Sequence, residues 1–185
     1  MAATLLPRPR RRLVVKVGTG VLIGAPFQTA GDLADDLLFF RQMDVDMIGM
    51  GPYIPHPDTP LAKSAPDFDP QRQLDLGLKM IALARLLMSD VNIAATTALE
   101  TLQPDGKLLG LQAGANIIMP NLTPERCQPA YRLYQGKPLS NMRDPACLKQ
   151  LLERIESTGE KIGLHEWGDS PHFTRRAEKQ TGGER

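Results

Sequence analysis

Residues able to meet a ligand gather at four points of this sequence, each just after a short apolar run: Gly24-Ala25-Pro26, His56-Pro57-Asp58-Thr59, Thr96-Thr97 and Asn121. All but the first of these groups carry side-chain donors or acceptors. His56, set between prolines, reads as a strand-end cap, as a ligand contact or as a proton-transfer group. Thr96 and Thr97 read as plain β-formers or as cavity-facing hydroxyls. Adjacent strand residues point to opposite faces, so at most one of the two faces a given cavity unless the strand end twists. Asp58 and Thr59 suit a local turn contact, and Tyr131 and Tyr134 suit loop packing. Gly18, Gly20 and Gly24 read equally as packing or bulge glycines and as places where a ligand approaches bare backbone. No Lys-Ser/Thr follows them, so they do not form a phosphate-binding loop. The sequence contains no carboxylate pair, no Ser/His/Asp set and no His/Cys cluster at metal spacing. The residues alone describe a binding surface without a reaction centre.

Those four points need scaffolding, and the hydrophobic period supplies it by switching from about 2 to about 3.6 four times along the chain. Strands are predicted over 13–23, 46–53, 92–98 and 115–119. A helix follows the first, with Thr29 as cap, Asp32 in its first turn and Leu33, Leu37 and Phe40 on its apolar face. Three prolines at 55, 57 and 60 forbid the second strand from continuing. Asp69-Pro70 then opens a long helix striped by Leu76, Met80, Leu83 and Leu87. A poorer helical segment runs from Asp105-Gly106 to Gly114, and a short helix is read near 130–134. Asp144-Pro145 opens the last helix, with Leu148, Leu151, Leu152 and Ile155 inward and Gly159 at its end.

Strands alternating with helices imply parallel pairing and an α/β architecture, with strands buried on both faces. The expected fold is a partial βα barrel of the TIM type: about four parallel strands with outer helices. A closed eightfold barrel takes about 250 residues, and this chain has 185. The division expected is an aberrant or poorly ordered start (1–12), a half-barrel (13–159) and a polar tail (160–185), mobile beyond His172. In such barrels function collects at the C-terminal strand ends, where the four groups fall.

The net charge is +1, so no nucleic-acid or anionic-membrane partner is expected. The basic run before residue 13 is read as a solvated terminus. Apolar residues never run to the roughly eighteen that a spanning helix needs, and the stretch after Leu13 is broken by Lys16, Gly18 and Gly20 without a cleavage site. Two cysteines, Cys127 and Cys147, make no disulfide framework, and a reducing cytoplasm is the expected setting.

Several runs resemble a known family. These are residues 18–24 (GTGVLIG) with Pro26, Gln28-Thr29 and 32–37; 46–62 (DMIGMGPYIPHPDTPLA); 92–99 (NIAATTAL); 114–124 (GANIIMPNLTP); 131–137 (YRLYQGK); and 167–172 (WGDSPH). In this order they resemble the C-terminal half of the radical-SAM barrel enzymes of the FeFe-hydrogenase maturase (HydE) family, within the wider group of biotin synthase and methylornithine synthase. The resemblance implies S-adenosyl-L-methionine (SAM) and a 4Fe-4S cluster held by a CxxxCxxC loop, which together generate a 5′-deoxyadenosyl radical. It implies that Gly20, Gly24, Pro57 and Tyr131 flank SAM. It also implies that His56, Thr96, Thr97 and Met119 meet a small-molecule substrate.

The departures bear on function. This sequence has no CxxxCxxC, so the chain alone is expected to bind no cluster and to be inactive. Of the three cysteines that hold the family's accessory cluster, only Cys147 remains. Leu139 and Gln150 stand in the other places, Cys127 is out of register, and no accessory cluster is expected. The segment before Lys16 lacks the expected helix pattern, which suggests a truncated or misplaced start. The expected partners are a separate N-terminal half-barrel or a second copy of the chain. The alternatives are a fragment of a methylornithine synthase or biotin synthase-like enzyme, and a non-catalytic half-barrel that binds a partner or ligand.

Overall fold

A computed structural model describes residues 15–64, 67–120, 123–130, 136, 145–164 and 166–181. The elements in chain order are β1 (Gly18–Ile23), α1 (Ala30–Gln42), β2 (Met47–Pro52), a 3-10 turn (Pro60–Ser64), α2 (Pro70–Leu87), β3 (Asn92–Ala95), α3 (Thr97–Leu102), α4 (Gly106–Gln112), β4 (Ile117–Ile118), a second 3-10 turn (Glu125–Ala130), α5 (Pro145–Glu156) and α6 (Pro171–Thr181). The four strands form one parallel sheet in the order β1-β2-β3-β4. This is the half-barrel topology expected, with helices between successive strands.

The ladders pair Gly20 with Gly49, Met47 with Asn92 and Ala94 with Ile117. Side chains alternate across a strand, so two faces follow. Ile23, Ile48, Met50, Ile93 and Ala95 pack with Leu33, Leu37 and Phe40 of α1, Leu74, Met80, Ile81 and Ala84 of α2, and Leu99, Leu111 and Ile155 of α3, α4 and α5. The other face carries Gly18, Gly20 and Leu22 on β1 and Met47, Gly49 and Gly51 on β2. Gly18, Gly20, Leu22 and Gly49 are exposed there. Burial on both faces therefore holds only for β3, all four of whose residues are buried. β1 and β2 keep one face open because nothing among the described residues covers it.

Local signals act where the sequence places them. Thr29 caps α1 through a reciprocal box: its hydroxyl accepts from the Asp32 N–H, and Asp32 accepts from the Thr29 N–H. Asp69 caps α2 by accepting from the N–H groups of Gln71 and Arg72, with Pro70 in the first turn. Gly159, at φ +84°, follows the end of α5. Asp144, the expected cap of α5, lies outside the described residues.

Three expectations change. The first strand begins at Gly18 rather than 13. The third ends at Ala95, because Thr96 takes the cap position of α3 and Thr97 its first turn. Leu83 and Leu148, expected inward, are exposed.

The largest correction is at the tail. The segment Pro171–Thr181 forms α6, docked across the N-terminal ends of the strands by charge rather than by an apolar stripe. The buried Asp46 carboxylate accepts from the Val17 N–H at 2.7 Å and pairs with Arg176, whose Nη2 also donates to the Val15 carbonyl at 2.8 Å. The His172 ring lies between Asp44 at 2.9 Å and Asp90 at 3.2 Å, and Arg175 pairs with Asp90. Phe173 lies beneath Lys16 and Arg176. Hydropathy sees only a polar segment here, because the partners are carboxylates 82 to 130 residues distant.

Removing one member of a buried pair strands the other, so Arg176→Ala should cost about 3 kcal/mol in denaturant unfolding. The exposed Lys149–Glu153 pair of α5 is the contrast, and Lys149→Ala should cost no more than about 0.5 kcal/mol. Hydrogen bonds from the Thr29 backbone and hydroxyl hold the Asp32 carboxyl below its ordinary value. Its contribution is thus complete above the unfolded-state pKa and is lost as pH falls through the lower folded-state value. Asp32→Asn should remove that part of the acid limb from stability measured against pH, and an unchanged limb would contradict the cap's role.

Candidate functional site

Because all four strands run parallel, their C-terminal ends at Ile23, Pro52, Ala95 and Ile118 form one rim, and the loops that leave it carry the sequence-predicted residues. At β1, the chain turns at Gly24, whose φ of +72° belongs to the region where a side chain is strained. The Gly24 N–H donates to Gln28 Oε1 at 2.6 Å, and its carbonyl accepts from Gln73 Nε2 at 2.7 Å. Gln73 lies in α2, so this bond ties the β1 turn to the next helix. Gly20 lies inside β1. A Cβ added there would sit 1.9 Å from the Gly49 carbonyl oxygen, so the bare backbone is already required by the neighbouring strand.

At β2, His56 makes a local contact: its Nδ1 accepts from the Asp58 N–H at 3.3 Å, and its carbonyl accepts from the Thr59 N–H and hydroxyl at 2.9 and 2.8 Å. Pro57 is exposed within that turn. At β3, Thr96 caps α3 by position without a side-chain cap bond. Its hydroxyl oxygen is buried with no hydrogen-bond partner among the described residues, 3.1 Å from where a Cβ on Gly51 would stand. Thr97, half-buried, begins the helix and accepts from the Thr101 hydroxyl through its carbonyl. Met119 follows β4 and is half exposed. Tyr131, Tyr134 and Asn121 lie outside the described residues.

The structure thus draws Thr96 against the end of β2 and couples Gly24 to Gln28 and Gln73. His56 and Pro57 remain within their own turn. Sequence reasoning missed Gln73, one helical turn after a recognised cap, and Tyr53, buried at the end of β2 with an unpartnered hydroxyl. A glutamine in an amphipathic helix carries no signal that it will reach a carbonyl 49 residues earlier.

The fit to the implied cofactors divides. The open face is narrow in side chains along Gly20, Gly49 and Gly51 and ends at the free Thr96 hydroxyl, which suits a polar ligand laid against backbone. A cluster is different. Cys127 is exposed in the second 3-10 turn, Cys147 lies in α5, and among the described residues no three His, Cys, Asp or Glu side chains are placed to hold a metal ion together.

No family model matches the chain. A search of characterised proteins finds the [FeFe] hydrogenase maturase subunit HydE of Thermotoga maritima, 46% identical over 158 residues, or 85% of this chain. This chain is related to HydE. The match spans 44% of that relative's length, so the chain corresponds to less than half of it. The likeness to HydE agrees with four parallel strands in chain order and with the motif runs at their ends. No helix among the described residues is long and apolar enough to cross a membrane.

Two substitutions separate packing from ligand roles on this rim. Gly20→Ala places a methyl against the Gly49 backbone and should destabilise by several kcal/mol, roughly 3. Thr96→Val loses no protein hydrogen bond and should leave thermal stability within about 1 kcal/mol of the parent, or raise it. A large loss of stability in Thr96→Val would mean that its hydroxyl already has a protein partner.

Proposed function

We propose that this chain supplies the second-half wall of a HydE-like radical-SAM barrel. In this reading the strand ends at Gly20, Gly24 and Pro57, with Tyr131, flank SAM, while His56, Thr96, Thr97 and Met119 face a small-molecule substrate. The observation that carries the proposal is the 46% identity spread over 158 residues. It falls on a sheet whose helix-free face is left open, with Leu22 and Met119 about half exposed. A barrel wall has that form: one face packed on helices, the other facing a lumen that only closure completes.

The chain's own residues would act by binding and orientation. The glycine row lets a ligand lie close to β1 and β2. The Thr96 hydroxyl is free to donate or accept at the β3 end, and the turn held by Gln28 and Gln73 keeps the β1 end in place. When bound in an intact barrel, the cluster and SAM supply the 5′-deoxyadenosyl radical. The thiolates for that cluster are proposed to come from outside these 185 residues, because their two separated cysteines do not make three ligands. A half-barrel that belongs to the same polypeptide or to a second one completes the wall, in a cytoplasmic setting. The likeness to HydE over the 46–62 run favours this reading over a methylornithine synthase or biotin synthase-like enzyme.

The test is reconstitution. The purified chain should self-associate across micromolar concentrations in sedimentation, because an exposed apolar patch favours burial at about 25 cal/mol per Å². After anaerobic reconstitution it should hold no stoichiometric iron. Co-expressed with the first half of Thermotoga maritima HydE, it should form a 1:1 complex that binds iron and cleaves SAM to 5′-deoxyadenosine. Stoichiometric iron in the chain alone, or a compact monomer that ignores the first half, would overturn the proposal.

A further inference from the structure

Gly18 of β1 pairs in register with Met47 of β2, and Met47 with Asn92 of β3. Ile48 and Ile93 point into the helix-covered core, so by alternation Gly18, Met47 and Asn92 form the lowest row of the open face. The tail is pinned beneath that row. Asn92 Nδ2 donates to the Gly168 carbonyl at 2.8 Å, and Asp169 pairs with Lys16, two residues before Gly18. Buried Ser170 then accepts from the Phe173 N–H at 3.0 Å, at the start of α6. Gly168 and Asp169 therefore cross from β3 to β1 under the open face and give it a floor at its N-terminal end.

Trp167, the single tryptophan of the chain, adjoins this floor. It is 92% exposed, so the described residues give it almost no cover, and Leu164 just before it is 58% exposed. Consecutive Cα atoms stand about 3.8 Å apart. Trp167 is therefore held close to Gly168, which is fixed to an inner strand on the open-face side. A tryptophan side chain offers roughly 150–250 Å² that favours burial, with an indole N–H that takes an acceptor when it is buried. A large apolar side chain anchored on a built segment and left uncovered marks a surface that meets a partner.

In a closed parallel barrel the N-terminal ends of all the strands share one mouth. A floor on the inner side of four of those ends must face the others on closure. More than half of HydE lies outside the match with this chain, enough for that second set of strands. A second copy of this chain fits less well, because two copies closing one barrel would crowd two such floors into one mouth. We propose that Leu164, Trp167 and Gly168 form a docking surface for the missing half of the barrel, with Trp167 packed among the N-terminal ends of its strands. The inference rests on the half-barrel reading above and adds where the two halves lock. Ligand and partner then meet the open face at opposite ends, the ligand at the C-terminal rim and the partner's strand starts at the floor.

The test uses this chain co-expressed with the first half of Thermotoga maritima HydE, both labelled with 5-fluorotryptophan. The fluorine resonance that disappears in Trp167→Phe belongs to Trp167. In the chain alone, diluted until sedimentation shows a monomer, a soluble paramagnetic quencher should broaden that resonance. In the 1:1 complex the resonance should be protected. Trp167→Ala should weaken the complex by about tenfold or more, while the melting temperature of the chain alone stays unchanged. A complex in which Trp167 remains open to the quencher, or which Trp167→Ala leaves as tight as the parent's, overturns the inference and spares the half-barrel reading. Protection of Trp167 only in self-associated chain gives the surface to a second copy and overturns it too. A lowered melting temperature in Trp167→Ala does the same, by showing that the ring already packs within its own chain. If the parent forms no 1:1 complex, the half-barrel reading falls and this inference falls with it.

Discussion

Parallel pairing is the constraint from which the rest of this structure follows. A parallel strand cannot be joined to its neighbour by a tight turn, so each connection must leave the sheet and return over it. Here those connections are α1, α2 and the pair α3 and α4. Their apolar stripes cover one face of the sheet and bury Ile23, Ile48, Met50 and Ile93. The same pairing puts all four C-terminal strand ends on one rim, where loops can present side chains without interrupting the ladder. One requirement thus creates both the core and the place for a site.

It also creates an unfinished surface. A sheet with helices on one face needs either solvent-tolerant residues or a cover on the other. β1 and β2 answer with glycines and an exposed Leu22, and Met119, just after β4, is exposed as well. In an eight-stranded closed barrel this face lines the interior. The likeness to less than half the length of HydE fits a wall of that kind.

The two ends of the sheet are built on different physics. At the N-terminal ends, α6 is held by charge: Asp46, Asp44 and Asp90 face Arg176, His172 and Arg175. Between β3 and β4, Arg85 donates to the Gly114 and Val91 carbonyls and to Asn116, whose amide bonds Asn92. Burial pushes the Arg85 guanidinium down from its ordinary value, with nearby Asp90 opposing. At the C-terminal ends, by contrast, Tyr53, Gln73 and Thr96 keep polar atoms without partners. The charged groups are thus paired at one end of the sheet, while at the other these polar atoms find no partner among the described residues.

The sequence alone determined the features that depend on near neighbours. The capping box at Thr29 and Asp32, the Asp69-Pro70 start, the break after Tyr53 and the inward stripe of Leu33, Leu37 and Phe40 rest on spacings of a few residues, and hydropathy periods report them directly. The motif runs at the strand ends also carried the kinship with HydE, because they are contiguous. What only the tertiary structure decided involves partners far apart in the chain. Gly20 is glycine because the Gly49 backbone touches it, and Gln73 matters because it reaches Gly24. Thr96 leaves the strand because the ladder with β4 is already complete at Ala95, and α6 is ordered because buried Asp46 needs a cation. No local pattern encodes these, since each is the meeting of two segments whose distance along the chain says nothing about their distance in space.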